Sequence, residues 1–511
     1  MGYTTHYFGK WPVSDPRPPD YLEPWGFSDW ENSYPELHGG TLSNLGVFRD
    51  VGFTGNIVDF LNKAGTDTST VPWFTVASLV NPQDISAWPI NWQAPGGTGV
   101  VGWTHYPPPP PIPHQGDSTR LDTLITVING DSIIKIFRVA LNPDGFPKNN
   151  SFLSATYNES LGHKPVCQQD YSLKWGLAWA AKTDYTFIQD ILPIRSPHPF
   201  QLQGAYDSAW ALSYIQFYHY CEYLADLRIR QILHALDNNG LTENTIVVFL
   251  SDHGDLTTVH GGCIQKWHNA YEESVRVPMI ISSPLVNRNR DEMREILQTT
   301  SSIDLALTLL GLAGFNPDSV VSIPGIIPGH TPSAHFAGAD LSSYIKGTNT
   351  VPIIGSDGKP RTGVLFMRSD MITELGTSYP AHTIYQLFLD KVDTTIALGY
   401  PLARGTVRQP NNIRAFCTGD WKIVQYVDPN GVETDQWELY CLTNDPNELI
   451  NLDDFTTGNI RDDVSVPGMT AAGGEENDID KMRPVRYRYK AHFFTFAGMR
   501  LCCSSLAMKS K

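Results

Sequence analysis

The run Ser251-Asp252-His253-Gly254-Asp255 sets a carboxylate beside an imidazole, directly after an apolar stretch ending at Leu250. Aspartate supplies hard oxygen and histidine a nitrogen donor, so Asp252 and His253 suit a divalent cation. In an open α/β sheet, ligands collect at the carboxyl ends of strands, and this run follows one. A helix cap or a turn is the other reading of the same residues. Further on, Lys266-Trp267-His268 adds a cation and a second imidazole close in sequence to the same strand end. Lys266 and His268 could bind a tetrahedral anion and stabilise charge developing on it. The alternative is a solvated lysine and a histidine satisfied in the core. Glu272, Glu273 and Arg276 fall at helical spacing and read as a structural ion pair.

The elements that must position these residues are legible as pattern. Residues 245–250 form an apolar, β-branched run, the signature of a strand in a parallel sheet covered on both faces. Residues 277–282 give a second strand candidate and 73–80 another, ending at Asn81-Pro82. From 206 to 236 apolar residues recur at three and four, which predicts a long amphipathic helix stopped by Asn238-Asn239-Gly240. Residues 302–313 predict a helix with Gly314 just past its end. Residues 413–427 and 437–442 predict a small antiparallel sheet with Pro429-Asn430-Gly431 as a turn. Helix, buried strand, loop, strand, helix is an α/β layout.

The chain has 511 residues with 53 acidic and 37 basic side chains, a formal charge of −16. That balance argues against nucleic acid or an anionic membrane surface as the main partner. It leaves a small anion open, because a local cationic pocket can exist in a negative protein. No apolar run reaches the length needed to span a bilayer. The seven cysteines form no CxxC pair and no zinc spacing, so no disulfide framework is expected.

Taken together, the stretch from Thr245 to Pro284, with its Ser-Asp-His-Gly-Asp, Lys-Trp-His and Tyr-Glu-Glu-Ser-Val-Arg-Val-Pro elements, closely resembles the sulfatase family of the alkaline-phosphatase-like superfamily. Gly2-Tyr3-Thr4-Thr5-His6-Tyr7-Phe8-Gly9-Lys10-Trp11 resembles the family's Gly-Tyr-x-Thr…Gly-Lys-Trp-His motif. Ser302 to Leu310 resembles the helix after its sheet strand. Trp437-Glu438-Leu439-Tyr440, followed by Asp445-Pro446-Asn447-Glu448, resembles its C-terminal subdomain element. The matches run in family order between positions 2 and 452.

The resemblance implies hydrolysis of sulfate monoesters by a formylglycine, made from a Cys or Ser in a Cys/Ser-x-Pro-x-Arg motif, with a calcium ion orienting the sulfate. It implies Asp252 and His253 as metal ligands, Lys10 and Lys266 as catalytic residues contacting sulfate, and His268 beside them. Gln83 stands where many relatives have a substrate-contacting His. Pro12 stands in place of the His of Gly-Lys-Trp-His, which removes a side-chain donor. No Cys or Ser supplies the nucleophile motif, and no paired early aspartates occur. The expected account is a chain lacking the N-terminal segment that carries them.

The expected fold is therefore α/β, an alkaline-phosphatase-like mixed, largely parallel sheet between helices, with a smaller C-terminal antiparallel subdomain. Residues 1–380 are expected as the sulfatase-like domain, with a long insertion at about 85–200, and 381–511 as the smaller subdomain and tail. The expected function is metal-assisted cleavage of small-molecule sulfate monoesters, inactive in the chain as it stands. The alternatives are a truncated homologue that only binds an anion, or a phosphate or phosphonate ester hydrolase of the same superfamily. Divalent metal, Ca2+ by the resemblance, is the expected cofactor.

Overall fold

In a computed structural model, the described residues are 2–11, 22–28, 49–69, 71–83, 85, 151–184, 208–287, 289, 292–316, 338–348, 352–355, 358–369, 383–405 and 407–464, together with four short strands between 98 and 140. The expected insertion at 85–200 and Pro12 lie largely or wholly outside them. The helices of eight residues or more among the described residues are, in chain order, α1 (Arg49–Thr66), α2 (Val166–Asp184), α3 (Ser208–Asn238), α4 (Leu305–Leu312) and α5 (Thr383–Ala397). The principal strands are β1 (Thr4–Gly9), β2 (Trp73–Ser78), β3 (Val247–Leu250), β4 (Met279–Ser282), β5 (Val364–Arg368), β6 (Asn412–Cys417), β7 (Trp421–Val427) and β8 (Gln436–Cys441). The chain divides into two compact units, one built on residues 1–155, 175–245 and 381–391, the other on 156–174, 246–380 and 392–511. The fold is mixed α/β, with parallel and antiparallel pairing both present.

In the first unit β1 and β2 pair in parallel, from Thr4 opposite Trp73 to Gly9 opposite Ser78. A parallel pair needs a long crossover, and α1 lies within it. Phe60 of α1 packs its ring 4.5 Å from His6, 5.7 Å from Phe8 and 5.3 Å from Trp73. The helix predicted over 206–236 is α3. It ends where Gly240 turns to φ 66°, so that Leu241 N–H reaches Leu236 O at 3.1 Å and Gly240 N–H reaches Asp237 O at 2.9 Å, satisfying the last carbonyls.

In the second unit the sheet order is β8-β7-β6-β5, antiparallel throughout. Phe416, Ile423, Trp437, Leu439, Cys441 and Leu452 form its core. Burying each such large side chain contributes roughly 1.5–3 kcal/mol. The edge strand β5 comes from before residue 380, so the sheet extends N-terminally beyond the stretch expected as the small subdomain. The helix predicted over 302–313 begins as a turn at Ser302–Asp304 and continues as α4. The buried Asp304 caps it by accepting from Ser301 N–H at 2.8 Å, and it holds Arg361 in two hydrogen bonds of 2.7 Å.

One sequence expectation is corrected here. The 245–250 run was expected in a parallel sheet covered on both faces. Instead β3 pairs antiparallel with β4, and Phe249 and Leu250 each remain 40% exposed. An apolar β-branched run specifies extended backbone, whereas the direction of its neighbour is set by the connection, here the loop that returns through 251–278.

Among the described residues, no helix is long and apolar enough to cross a membrane. Among the described residues, Cys167, Cys263, Cys417 and Cys441 are free thiols.

Candidate functional site

In the first unit, β1 delivers Lys10 and the end of β2 delivers Gln83. Gly9 must be glycine: its φ is 126°, and a Cβ there would collide with the Ser78 carbonyl oxygen. The close approach lets Lys10 N–H bond Ser78 O at 3.0 Å. Lys10 is 6% exposed, and its Nζ donates to Gln83 Oε1. The turn carrying Gln83 is held by Asp50 at the start of α1, whose buried carboxylate accepts from Val80 N–H at 2.7 Å and Asn81 N–H at 3.1 Å. Two residues singled out from separate motifs thus meet side by side.

In the second unit, β3 ends at Leu250 and the chain turns sharply. His253 N–H donates to Asp252 Oδ1 at 2.9 Å. Gly254 N–H bonds Ser274 O at 3.0 Å, and a Cβ at Gly254 would strike the Glu273 carbonyl oxygen, so only glycine fits. His253 Nδ1 lies 2.9 Å from Gly254 O, which makes Nδ1 the protonated nitrogen. That leaves the Nε2 lone pair on the side of Asp252 Oδ2, 3.4 Å away. Burial and the charge of Lys266 hold His253 below the usual histidine range, against the pull of Asp252.

The tautomer and the adjacent exposed carboxylate, 75% accessible, are what a divalent cation requires of two ligands. Two donors do not complete a coordination shell for a hard cation. Among the described residues no group of three His, Cys, Asp or Glu is placed to hold a metal ion.

The loop from 255 to 268 is closed and strained. Asp255 Oδ1 accepts from Thr257 N–H at 2.8 Å and Gln265 N–H at 3.3 Å. Thr257, Thr258, His260, Gln265 and His268 all have positive φ, between 44° and 72°. Non-glycine residues in that region cost of order 1–3 kcal/mol each, and such strain clusters at functional sites.

Lys266 closes the loop half-buried. Its Nζ lies 5.5 Å from the centre of the Trp267 ring. His268 is 1% exposed, edge-on to Tyr171 at 5.3 Å. Burial and the nearby Arg368 push its pKa down to about 3, so it is neutral at ordinary pH. Asp252, His253 and Lys266 therefore share one strand end, with His268 packed beneath the loop.

Sequence reasoning missed three features. Arg368 at the end of β5 donates to Lys266 O at 2.6 Å and stacks 4.0 Å over Trp267. His260 is clamped between Glu159 at 2.7 Å and Glu273 at 3.4 Å, stacked on Tyr271 at 3.6 Å. Burial works against its charge, yet the two carboxylates raise its pKa overall. Lys422 of β7 is buried against Glu272 at 2.6 Å, Glu448 at 2.9 Å and Ala270 O at 2.8 Å. The expected Glu272–Arg276 pair is stretched to 4.0 Å, with Arg276 82% exposed, because Glu272 is committed to Lys422 instead. None of these long-range partners leaves a local sequence signal.

Residues 154–315, which contain Asp252, His253, Lys266 and His268, match the family model described as Sulfatase. Arylsulfatase K of Canis lupus familiaris is 25% identical over 46% of this chain and 48% of its own length. An N-acetylglucosamine-6-O-sulfatase of Bacteroides thetaiotaomicron is 23% identical over 57% of this chain and 46% of its own. Both matches span about half of the relative's length. The solved structure of a 2-O GAG sulfatase superposes with a TM-score of 0.53 at 17% identity, covering 98% of this chain and 72% of that one, which establishes the likeness of fold. Over residues 154–315 the chain is similar to the sulfatase family, and its fold is that of a solved sulfatase.

Proposed function

We propose that the chain is a member of the sulfuric ester hydrolases of the sulfatase family, built around sulfate monoesters of small molecules and a divalent metal, Ca2+, and that these 511 residues by themselves retain the binding and lack the turnover. Asp252 and His253 would hold the metal. In the second unit Lys266 would contact the sulfate; for Lys10 and Gln83, in the first, the same role is proposed from the family resemblance alone. The observation that supports the reading is the return of the strained 255–268 loop, by Leu256 N–H to Gln265 O at 2.7 Å, which brings Lys266 back toward Asp252 and His253 at the end of β3.

Cleaving a sulfate ester leaves negative charge on the departing oxygen. A fixed ammonium such as Lys266 stabilises that charge with no proton transfer at the contact. When bound, the metal would draw electron density from the sulfate oxygens. His268 would serve in this set as a neutral imidazole, because its burial removes the charge it would need to attract the anion or to give up a proton. The 511 residues contain no Cys/Ser-x-Pro-x-Arg nucleophile motif. We propose accordingly that this chain binds the anion without turning the ester over.

The test is hydrolysis of an aryl sulfate and an aryl phosphate by wild type and Lys266→Ala, with Ca2+ present. No product above the Lys266→Ala background is expected from either ester. Lysine-dependent release from the sulfate would overturn the inactivity, and preferential release from the phosphate would overturn the substrate class.

A further inference from the structure

We propose that Arg368 is the positioning residue for Lys266, fixing the anion-contacting lysine from the edge strand of the antiparallel sheet. The inference rests on the reading of Lys266 as an anion contact and gives the C-terminal sheet a part in the site.

Arg368 is the last residue of β5, opposite Ile413, which is 1% exposed. Its neighbour Met367 is 56% exposed. The alternation of a strand therefore turns Arg368 to the inner face. From there Nη1 donates to the Lys266 carbonyl at 2.6 Å, and the guanidinium carbon lies 4.0 Å from the centre of the Trp267 ring, over it. The two contacts fix the backbone of Lys266 and the side chain that follows it. The Lys266 ammonium lies 5.5 Å from the same indole, so the ring is shared by both cations.

Only arginine makes both contacts together, because its flat, delocalised cation stacks and donates at once. The rest of the loop is tied to the same sheet, since Lys422 of β7 donates to Ala270 O at 2.8 Å and Glu448 beyond β8 accepts from Glu272 N–H at 2.7 Å. Arg368 is the tie at the lysine itself.

The experiment titrates inorganic sulfate into tryptophan-15N-labelled full chain and follows the Trp267 indole signal, assigned with Trp267→Phe. Arg368→Gln and Arg368→Lys are compared with wild type and Lys266→Ala. Loss of a charge-assisted hydrogen bond and of the stacking predicts sulfate binding weakened about tenfold in Arg368→Gln. Arg368→Lys keeps the charge and loses the flat geometry, so it is expected to weaken binding nearly as much. Wild-type affinity in Arg368→Lys would overturn positioning in favour of simple charge, and wild-type affinity in Arg368→Gln would overturn any role.

Absence of a sulfate response in wild type would count against the anion reading of Lys266. The positioning claim is then decided by trypsin cleavage of the native chain at the Lys266–Trp267 bond. Cleavage there is expected to rise about tenfold in both Arg368 variants while cleavage at other basic residues stays constant, the gain following from loss of the same two contacts. Unchanged cleavage at Lys266, or a general rise across the chain, would overturn it.

Discussion

Glu448 gives the second unit a pH dependence that one substitution removes. Its side chain is 1% exposed, 2.9 Å from Lys422 and accepting from Glu272 N–H at 2.7 Å. Burial outweighs these partners and pushes the carboxyl up to about 7. Lys422 stays charged throughout, because Glu448 and Glu272 raise its pKa despite burial. An unfolded glutamate titrates near about 4.3. A folded pKa raised above the unfolded one means that the stabilising contribution is complete below about pH 4 and is lost as pH rises through about 7. The gap from about 4.3 to about 7 corresponds to about 4 kcal/mol, of which about 2.5 kcal/mol falls between pH 5 and pH 8. Replacing Glu448 with Gln removes the titration. At roughly 2 °C per kcal/mol for a unit of this size, the melting difference between wild type and Glu448→Gln should change by about 5 °C between pH 5 and pH 8 in the variant's favour. Differential scanning calorimetry at pH 5, 6.5 and 8 reads this directly. His260 shifts the same way in both proteins, its raised pKa costing stability as pH climbs, so it cancels in the comparison. Parallel melting curves for the two proteins across that range would refute the reasoning.

Lys422→Met should cost roughly 3–5 kcal/mol at pH 8, because it strands two acidic groups and a carbonyl that the buried ammonium satisfies; a melting loss under about 3 °C would contradict it. Asp50→Ala should destabilise the first unit by roughly 2–5 kcal/mol, since the Val80 and Asn81 amides lose their shared acceptor in a buried place. Chemical denaturation followed by fluorescence would show it as unfolding shifted to lower denaturant, and an unchanged midpoint would contradict it.

Much of this was readable in the residues because the signals are local. The apolar run to Leu250 and Gly254 mark a strand end and a turn, and the turn places Asp252 and His253 where pattern alone puts them. The spacing to Lys266 is short enough for one loop to bring it back. The three-and-four spacing of α3 and its Asn-Asn-Gly stop are equally local. Lys10 and Gln83 meet because a parallel strand pair holds them in register.

The unread part is made of distant partners. Glu159 reaches His260 from 101 positions away, and Arg368 reaches Lys266 from 102. Their encounter depends on sheet register and burial rather than on spacing. Helical spacing likewise suggested Glu272 with Arg276, but a buried lysine from another strand competes better than an exposed arginine. The orientation of β3 was misread because an apolar run reports burial potential and not the direction of its neighbour.

The most direct measurement of the central claim is a calorimetric titration of an aryl sulfate into the full chain with Ca2+, for wild type and Lys266→Ala. The account predicts saturable binding by wild type, weakened at least about tenfold by loss of the ammonium, which is worth roughly 1.5–3 kcal/mol as a charge-assisted contact. Equal affinity in the two proteins would contradict it.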